Sequence, residues 1–173
     1  MKKIIQREKH KVIRKVISGK TSFVSSPDHP TGLKCEFYVL DNGDLATTYE
    51  INEYHIGHIN TSHGGITAAV LDETMGKSNY VYDEALGREY KAFMTGEMKI
   101  RYLAPLSIGE RARAYGRVVR EEGRKHYNTA EIIKDDGTVV AEAEGLFIRV
   151  EKDLGTRPVM SSPNLNETDP TEL

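Results

Sequence analysis

The sequence lacks the features that mark several broad classes of protein. It contains no tryptophan and a single cysteine, Cys35, so no intrachain disulfide can form. No apolar run is long enough to span a bilayer, and the basic N-terminus is not followed by the apolar stretch of a signal peptide. The formal net charge is only -2, which argues against a nucleic-acid-binding protein. We therefore expect a cytoplasmic protein without stable membrane insertion.

Composition divides the 173 residues into three regions. Residues 1–26 are basic, and apolar pairs such as Val12-Ile13 and Val16-Ile17 allow a helix with one apolar stripe. This region is either a solvated helix or extended arm packed on the domain, or a basic amphipathic helix that touches an anionic membrane or a partner. Residues 27–152 hold the fold. Residues 153–173 are polar, contain several prolines and are predicted to form a disordered tail.

The middle region predicts an α+β fold. The Asn42-Gly43 pair between two strand-like runs is typical of a β-hairpin. A long, mostly apolar helix is predicted from Gly64 to about Leu86, and a helix this apolar should be buried on most sides. Strands joined by hairpins indicate an antiparallel sheet packed against this helix. The strand-like runs that follow the helix are residues 97–102, 111–120, 126–134 and 139–150.

The segment from His55 to Gly76 carries the residues that suggest chemistry. Gly64-Gly65 stands where the helix begins, and backbone N–H groups at that position have no partner within the helix. Such groups suit a carbonyl oxygen that becomes negative during acyl transfer. Asp72 lies in the otherwise apolar body of the helix, where a carboxylate is costly to bury without a partner or a function. Each feature alone is also compatible with a structural role, as turn geometry or as a structural hydrogen bond.

The stretch HGGITAAVLDETMG resembles the signature of the PaaI-type hotdog thioesterases, which are named after the phenylacetic acid pathway. In that signature an acid follows the histidine by nine positions, and here Asp72 follows His63 by nine positions. The stretches HPTGLKCEF before it and TGEMKIRYLAPLSIGE after it resemble neighbouring segments of the family in the same order. The resemblance covers roughly residues 27–150.

The resemblance implies a hotdog fold, in which an antiparallel sheet wraps around one long central helix. It implies an acyl-CoA thioesterase that forms a homodimer or homotetramer, needs no cofactor and takes the acyl group from coenzyme A or an acyl-carrier protein. Asp72 corresponds to the catalytic acid of the family, acting as general base or nucleophile. Gly64 would polarise the thioester carbonyl through its N–H group. His63 would orient the loop or the thioester, and Thr95 would assist the water.

Three further residues are expected to bind substrate near the helix start. Gly65 lies at the helix start itself. Some relatives carry an asparagine six positions before the histidine, and this chain has Gly57 at that position. His58 or Asn60 is therefore expected to take over the role of that asparagine, which is to position the water.

Arg124 and Lys125 follow a predicted turn. They are either the residues that hold the phosphates of coenzyme A or ordinary solvated turn residues. No metal site is expected, because the histidines of the chain are not accompanied by an HExxH motif or a set of cysteine ligands.

Spacing along the helix predicts an active site that two subunits share. Asp72 lies eight residues after Gly64, which is about 12 Å along a helix axis at ~1.5 Å per residue. A donor N–H and a general base must both lie within about 3 Å of groups on one substrate carbon. We therefore expect Gly64 of one subunit to work with Asp72 of another.

Two rival hypotheses remain at this point. The first is a hotdog domain that binds an acyl or aromatic ligand, or a partner, without turnover. Asp72 with Gly64-Gly65 favours the enzyme, and the departure at Gly57 keeps this rival open. The second is a hydratase that acts on enoyl-CoA, whose usual arrangement of aspartate and histidine is not found in this sequence.

Overall fold

The computed structural model describes residues 8–17, 19–151 and 160–173. These residues form one helix, which is long, and ten strands. The elements are β1 (Val12–Ile17), β2 (Glu36–Leu40), β3 (Leu45–Glu50), β4 (Ile56–His58), β5 (Thr61–Ser62), α1 (Gly64–Ala85), β6 (Ala92–Tyr102), β7 (Arg111–Glu122), β8 (Lys125–Lys134), β9 (Val139–Val150) and β10 (Met160–Ser162). The predicted hairpin, the helix and the four strands after it are all present. In the described part of the chain, no helix combines the length and apolarity needed to cross a membrane.

Eight of the strands form one antiparallel sheet in the order β10-β1-β2-β3-β7-β8-β9-β6. Tight turns join β2 to β3 and β8 to β9, and each turn contains a glycine with positive φ: 85° at Gly43 and 86° at Gly137. The two remaining strands, β4 and β5, form a separate hairpin directly before α1. The last residues of this hairpin therefore lead directly into the first turn of the helix.

The helix packs on one face of the sheet, which we call the inner face. Strand alternation sorts the side chains: Phe37 and Val39 of β2 contribute to the main core, whereas Tyr38 and Leu40 contribute to a smaller cluster on the outer face. The helix contributes fully buried residues to the main core, namely Val70, Leu71 and Met75. The structure therefore has the predicted α+β architecture, with an antiparallel sheet against one buried helix.

The basic N-terminal region contributes a strand to the sheet. Strand β1 pairs with both β2 and β10, so a domain boundary after residue 26 would separate a strand from its own sheet. Val12 and Val16 are buried, whereas Ile13 and Ile17 are exposed. The extended arm is thus the alternative that the structure shows for residues 12–17, and the helical alternative is wrong for them. Residues 1–7 lie outside the described residues.

The C-terminal residues 160–173 also pack on the domain. Strand β10 adds to the sheet beside β1, and the Leu173 side chain is buried in the outer cluster. The carboxylate of Asp169 accepts a hydrogen bond from the Tyr38 hydroxyl and pairs with Lys15, at 2.8 Å in each case. The predicted disordered tail is therefore wrong for these residues, because they bury an apolar side chain and an ion pair. Residues 152–159 lie outside the described residues.

The buried C-terminal leucine is expected to contribute to stability. We predict that Leu173→Ala lowers the free energy of unfolding by about 2 kcal/mol, because the change removes a buried side chain and leaves a cavity. Urea denaturation measures the difference. Leu165→Ala is the matched control, since Leu165 lies in the same segment with 37% of its surface exposed. Equal effects of the two changes would show that the outer cluster contributes no stability.

Candidate active site

The start of α1 has an unusual cap. His63 precedes the helix, and its Nδ1 accepts a hydrogen bond from the N–H of Gly65 at 2.9 Å. The carbonyl of His63 accepts from the N–H groups of Ile66 and Thr67. The N–H of Gly64 has no hydrogen-bond partner in the described part of the chain. The first turn therefore offers one exposed donor, and it belongs to the residue that the sequence assigned to the thioester carbonyl.

The hairpin before the helix fixes the position of this cap. The N–H of His63 donates to the carbonyl of His55 at 2.9 Å, and His55 is itself buried. The N–H of Ser62 donates to the carbonyl of Leu106 at 2.8 Å, which ties the hairpin to the segment after β6. The helix start is therefore held from two sides although its glycines are exposed.

Tyr102, at the end of β6, lies against the helix start. Its hydroxyl donates to the carbonyl of Gly64 at 3.0 Å. A Cβ atom at Gly64 would lie 3.7 Å from the Tyr102 ring, which is ordinary contact. The protein itself thus leaves room for a side chain at Gly64, and the space is open to a ligand. It adjoins a cleft of about 350 Å³ whose lining includes Thr61, Ser62, Thr67, Tyr102, Leu106 and Val140.

Asp72 lies two turns further along the helix and faces β6. Thr95 of β6 donates its hydroxyl hydrogen to Asp72 Oδ1 at 2.7 Å. Desolvation raises the pKa of the half-buried Asp72 carboxyl, the hydrogen bond from Thr95 opposes this shift, and the charge of Glu73 adds to it. The carboxylate is therefore more basic than an ordinary aspartate, as a proton acceptor in catalysis requires.

The neighbouring acid, Glu73, has a different environment. Its Oε1 accepts hydrogen bonds from the hydroxyls of Ser25 at 2.6 Å and Ser22 at 3.2 Å. Lys77, one turn along the helix, places its Nζ 3.3 Å from the same oxygen. Glu73 therefore fastens the segment before β2 to the helix, and its role is structural.

The predicted catalytic residues fall into two groups within one chain. Gly64, Gly65 and His63 lie together at the helix start, and Asp72 lies with Thr95. Both groups are anchored to the same helix. Gly64 and Asp72 are eight residues apart in this helix, which corresponds to about 12 Å along its axis. A single chain thus holds two half-sites. We call them the donor half-site (His63, Gly64 and Gly65) and the base half-site (Asp72 and Thr95).

His58 and Asn60 lie in the β4–β5 hairpin, where both side chains are exposed. Asn60 has a left-handed φ of 55°, and its carbonyl accepts from the N–H of Ile108. Within the described residues, neither side chain forms a hydrogen bond to the helix start. Gly57 is different, because a Cβ atom there would lie 2.7 Å from Cδ2 of His63. The structure thus fills the space beside Gly57 with the His63 ring.

Arg124 and Lys125 occupy the turn between β7 and β8 and are exposed. Lys125 pairs with Ile148 of β9, which in turn pairs with Met94 of β6, the neighbour of Thr95. Two strand spacings of ~4.8 Å place this turn about 10 Å from the strand that carries the base half-site. Both interpretations from the sequence, phosphate binding and a solvated turn, are compatible with this position.

Two contributions to the site were missed in the sequence. Tyr102 stands within the stretch TGEMKIRYLAPLSIGE, and the resemblance of this stretch to the family gives no sign that the tyrosine contacts Gly64. The serines that hold Glu73 lie about 50 positions before it, and no local pattern predicts that contact. Among the described residues, no group of three or more His, Cys, Asp or Glu side chains could hold a metal ion.

Comparisons with known proteins show which family and which solved structures the chain is similar to. A family model for the thioesterase superfamily matches residues 59–141, which include both half-sites. A solved thioesterase superfamily protein is 26% identical with a TM-score of 0.65, and the match covers 75% of this chain and 60% of that protein. The PaaI protein of E. coli, from the phenylacetic acid degradation operon, is 19% identical with a TM-score of 0.56, over 68% of this chain and 80% of that protein.

A Bacillus halodurans protein solved with CoA is 27% identical with a TM-score of 0.53, over 61% of this chain and 66% of that protein. A search of curated proteins found no significant match. The family model confirms the predicted resemblance to the thioesterase superfamily, and the structural matches confirm the hotdog fold. The solved structures to which the chain is similar thus include a thioesterase superfamily protein and a protein that was solved with CoA.

The hydrogen bond from Thr95 is expected to control the basicity of Asp72. We predict that Thr95→Val raises the pKa of Asp72 further, because the change removes the donor that stabilises the carboxylate. Carboxyl ¹³C NMR during a pH titration measures the pKa. Thr95→Ser keeps a hydroxyl and serves as the control, with a pKa close to that of the parent. An unchanged pKa in Thr95→Val would mean that this hydrogen bond has no influence on Asp72.

Proposed function

We propose that this chain, a hotdog-fold relative of the thioesterase superfamily, hydrolyses acyl-CoA thioesters to a free acid and coenzyme A. The observation that carries the proposal is the pairing of two features on one helix. The helix begins with an exposed N–H group at Gly64 and carries, in its apolar body, the desolvated carboxylate of Asp72. An electrophilic donor and a base are the two groups that acyl transfer to water requires.

Asp72 acts in one of two ways. As a general base, it takes a proton from water while the water oxygen attacks the thioester carbon, with Thr95 holding Oδ1 and leaving Oδ2 for the water. As a nucleophile, it attacks the carbon itself and forms an anhydride that water then hydrolyses. In both cases the carbonyl oxygen becomes negative and is stabilised by the Gly64 N–H. The C–S bond then breaks, and the departing thiolate of coenzyme A takes up a proton.

The complete site requires two copies of the chain. Strand β6 is eleven residues long and lies at one edge of the sheet, so its outward backbone groups can pair with another strand. An antiparallel pair of β6 strands about a two-fold axis would extend the sheet and bring the two helices side by side. The same strand contacts both half-sites, through Thr95 near its beginning and Tyr102 at its end.

The charge pattern of β6 favours one register for this pair. With Met98 opposite its own copy, Glu97 of each chain lies opposite Lys99 of the second copy, which gives two ion pairs. If Lys99 were opposite its own copy instead, two like charges would face each other. In the favoured register, the beginning of β6, which carries Met94 and Thr95 beyond an irregularity between Thr95 and Glu97, would lie beside the Tyr102 end of the second copy.

This register brings the half-sites together. Thr95 is the neighbour of Met94 and holds Asp72, while Tyr102 of the second copy holds the carbonyl of its own Gly64. Asp72 of one copy would therefore face Gly64 of the other, and each dimer would contain two equivalent sites. Gly65, His58 and Asn60 would line the entrance of each site.

Arg124 and Lys125 would hold the phosphates of coenzyme A. Their turn lies about 10 Å from the strand that carries the base half-site, and both side chains are exposed and free to contact phosphate. An acyl-carrier protein could present the same thioester, since its prosthetic arm carries the same thiol. Comparing acyl-CoA with acyl-carrier-protein thioesters distinguishes the two donors.

The first test replaces the proposed base. Asp72→Asn should lower kcat at least ~10²-fold in an assay of thiol release from acetyl-, hexanoyl-, palmitoyl- and phenylacetyl-CoA. The variant should also be more stable than the parent at neutral pH. The raised pKa of the folded carboxyl means that its stability contribution is present at acid pH and is lost as the pH rises through that pKa.

The adjacent Glu73→Gln provides a matched control. Among the described residues, the hydrogen bonds and the ion pair of Glu73 go to Ser22, Ser25 and Lys77, so the variant should retain most turnover. Near-parental kcat in Asp72→Asn would contradict the assignment. Tight binding of acyl-CoA without thiol release by the parent would instead favour the non-catalytic domain.

The second test asks whether two chains share each site. Gly64→Pro removes the donor N–H, and proline is tolerated at the first position of a helix. Asp72→Asn and Gly64→Pro should each be inactive as pure dimers. After the two are unfolded together and refolded, half of the dimers should be mixed, and each mixed dimer should have one site with both lesions and one intact site.

About a quarter of the parental activity should therefore return. Refolding each variant alone gives the baseline. If mass spectrometry shows that mixed dimers form but no activity returns, the shared site is wrong.

A further inference from the structure

The helix begins with a histidine cap, and the proposed reaction does not require the cap residue to be a histidine. Caps are usually short side chains such as Ser, Thr, Asp or Asn. Here an imidazole does the same work, with Nδ1 accepting the Gly65 N–H at 2.9 Å. An imidazole nitrogen can accept only when it carries no proton, so the neutral ring must hold its proton on Nε2. The cap therefore depends on the tautomer and the exact placement of one ring.

Two glycines make room for this ring, one on each side. A Cβ atom at Gly57 would lie 2.7 Å from Cδ2 of His63, and a Cβ atom at Gly65 would lie 2.9 Å from Nδ1. Both distances are shorter than real Cβ atoms show, so any other residue at either position would displace the ring. At Gly64, by contrast, the nearest atoms are 3.7 Å away, in Tyr102. The absence of a side chain at Gly57 and Gly65 thus makes room for the imidazole, whereas the space beside Gly64 is open.

The position of the ring decides which backbone N–H groups face the ligand. With the cap in place, Gly65 is occupied by His63, and the N–H groups of Ile66 and Thr67 are occupied by the His63 carbonyl. The Gly64 N–H is then the donor of the first turn that has no partner among the described residues. If the ring moves away, the Gly65 N–H becomes a second donor and loses its partner, and the fixed direction of the first peptide groups is lost.

We propose that His63 is a positioning residue whose neutral imidazole, held between Gly57 and Gly65, sequesters the Gly65 N–H and leaves the Gly64 N–H as the single donor to the thioester carbonyl. Gly57 is accordingly a partner of His63 and not a vacant water-positioning site. This inference rests on the proposed function for its consequence in catalysis, but the cap itself can be measured without any substrate.

The substrate-free test is amide hydrogen exchange by NMR. In the parent, the Gly65 amide should be protected while the Gly64 amide exchanges rapidly. Gly57→Ala should accelerate Gly65 exchange at least about 10-fold, because the new methyl group displaces the ring that accepts this hydrogen. Gly19→Ala is the matched control, since no atom lies within 4 Å of a Cβ there. A two-bond ¹H–¹⁵N spectrum of His63 should show the proton on Nε2 in the parent. Equal exchange of Gly64 and Gly65 in the parent, or no effect of Gly57→Ala, would overturn the cap.

The kinetic test separates positioning from chemistry. Gly57→Ala and His63→Ala should each lower kcat about 10-fold with KM within about 2-fold, because the donor is misdirected while the binding surface persists. His63→Asn should restore most of kcat, since an asparagine oxygen caps helices well. In the His63→Ala background, Gly57→Ala should cost less than about 3-fold more.

If His63 acted as a base, His63→Asn would be as inactive as His63→Ala. That result would overturn the proposal. The proposal would also be overturned if Gly57→Ala lowered kcat by the same factor in the parent and in the His63→Ala background. If the parent hydrolyses no thioester in the panel, the proposed function fails, and the exchange measurement still decides whether the cap exists.

Discussion

The packing of α1 along the inner face of the sheet is the contact on which the other features of this protein depend. A helix of 22 residues lies against strands from both halves of the sheet, and its buried side chains include Val70, Leu71 and Met75. Because the helix is rigid, this contact fixes the distance between its first turn and Asp72. It also holds Asp72 where water is partly excluded, which is the cause of its raised pKa. The raised pKa of Asp72 and its separation from the first turn are thus two results of one packing arrangement.

Much of the fold could be predicted because the signals are local. Alternation, turn residues such as Asn42-Gly43 and the apolar helix each depend on neighbours in sequence, and those elements are present as predicted. Strand β1 was ambiguous for a physical reason: Val12 and Val16 are four residues apart, and that spacing places side chains on one face of a strand as well as of a helix. The C-terminal segment has no periodicity at all, and it is held in place by distant contacts, which are the pairing of β10 with β1 and the contacts of Leu173 and Asp169.

In the candidate site, too, the features that depend on local sequence could be predicted, and those that depend on distant contacts could not. The motif identified His63, Gly64 and Asp72 because their spacing along one element is a property of the sequence. It did not show that Gly65 is bonded to His63, or that the space beside Gly57 contains the His63 ring, since both depend on how the β4–β5 hairpin meets the helix. The pairing of Asp72 with Thr95 joins residues 23 positions apart and required the resemblance to a family to be anticipated.

The two edges of the sheet differ in a way that bears on assembly. One edge is β10, a strand of three residues, and the other is β6, a strand of eleven. A sheet with two long open edges can add further copies without limit, which is the geometry of fibre growth. In the proposed pairing, a second copy that adds at β6 would cover the long edge of both molecules, and the edge left open in the described sheet would be the three-residue strand β10. If copies pair as proposed, the difference between the two edges would end edge-to-edge addition at two molecules. The pairing that is proposed to complete the site would then also protect the protein from polymerising.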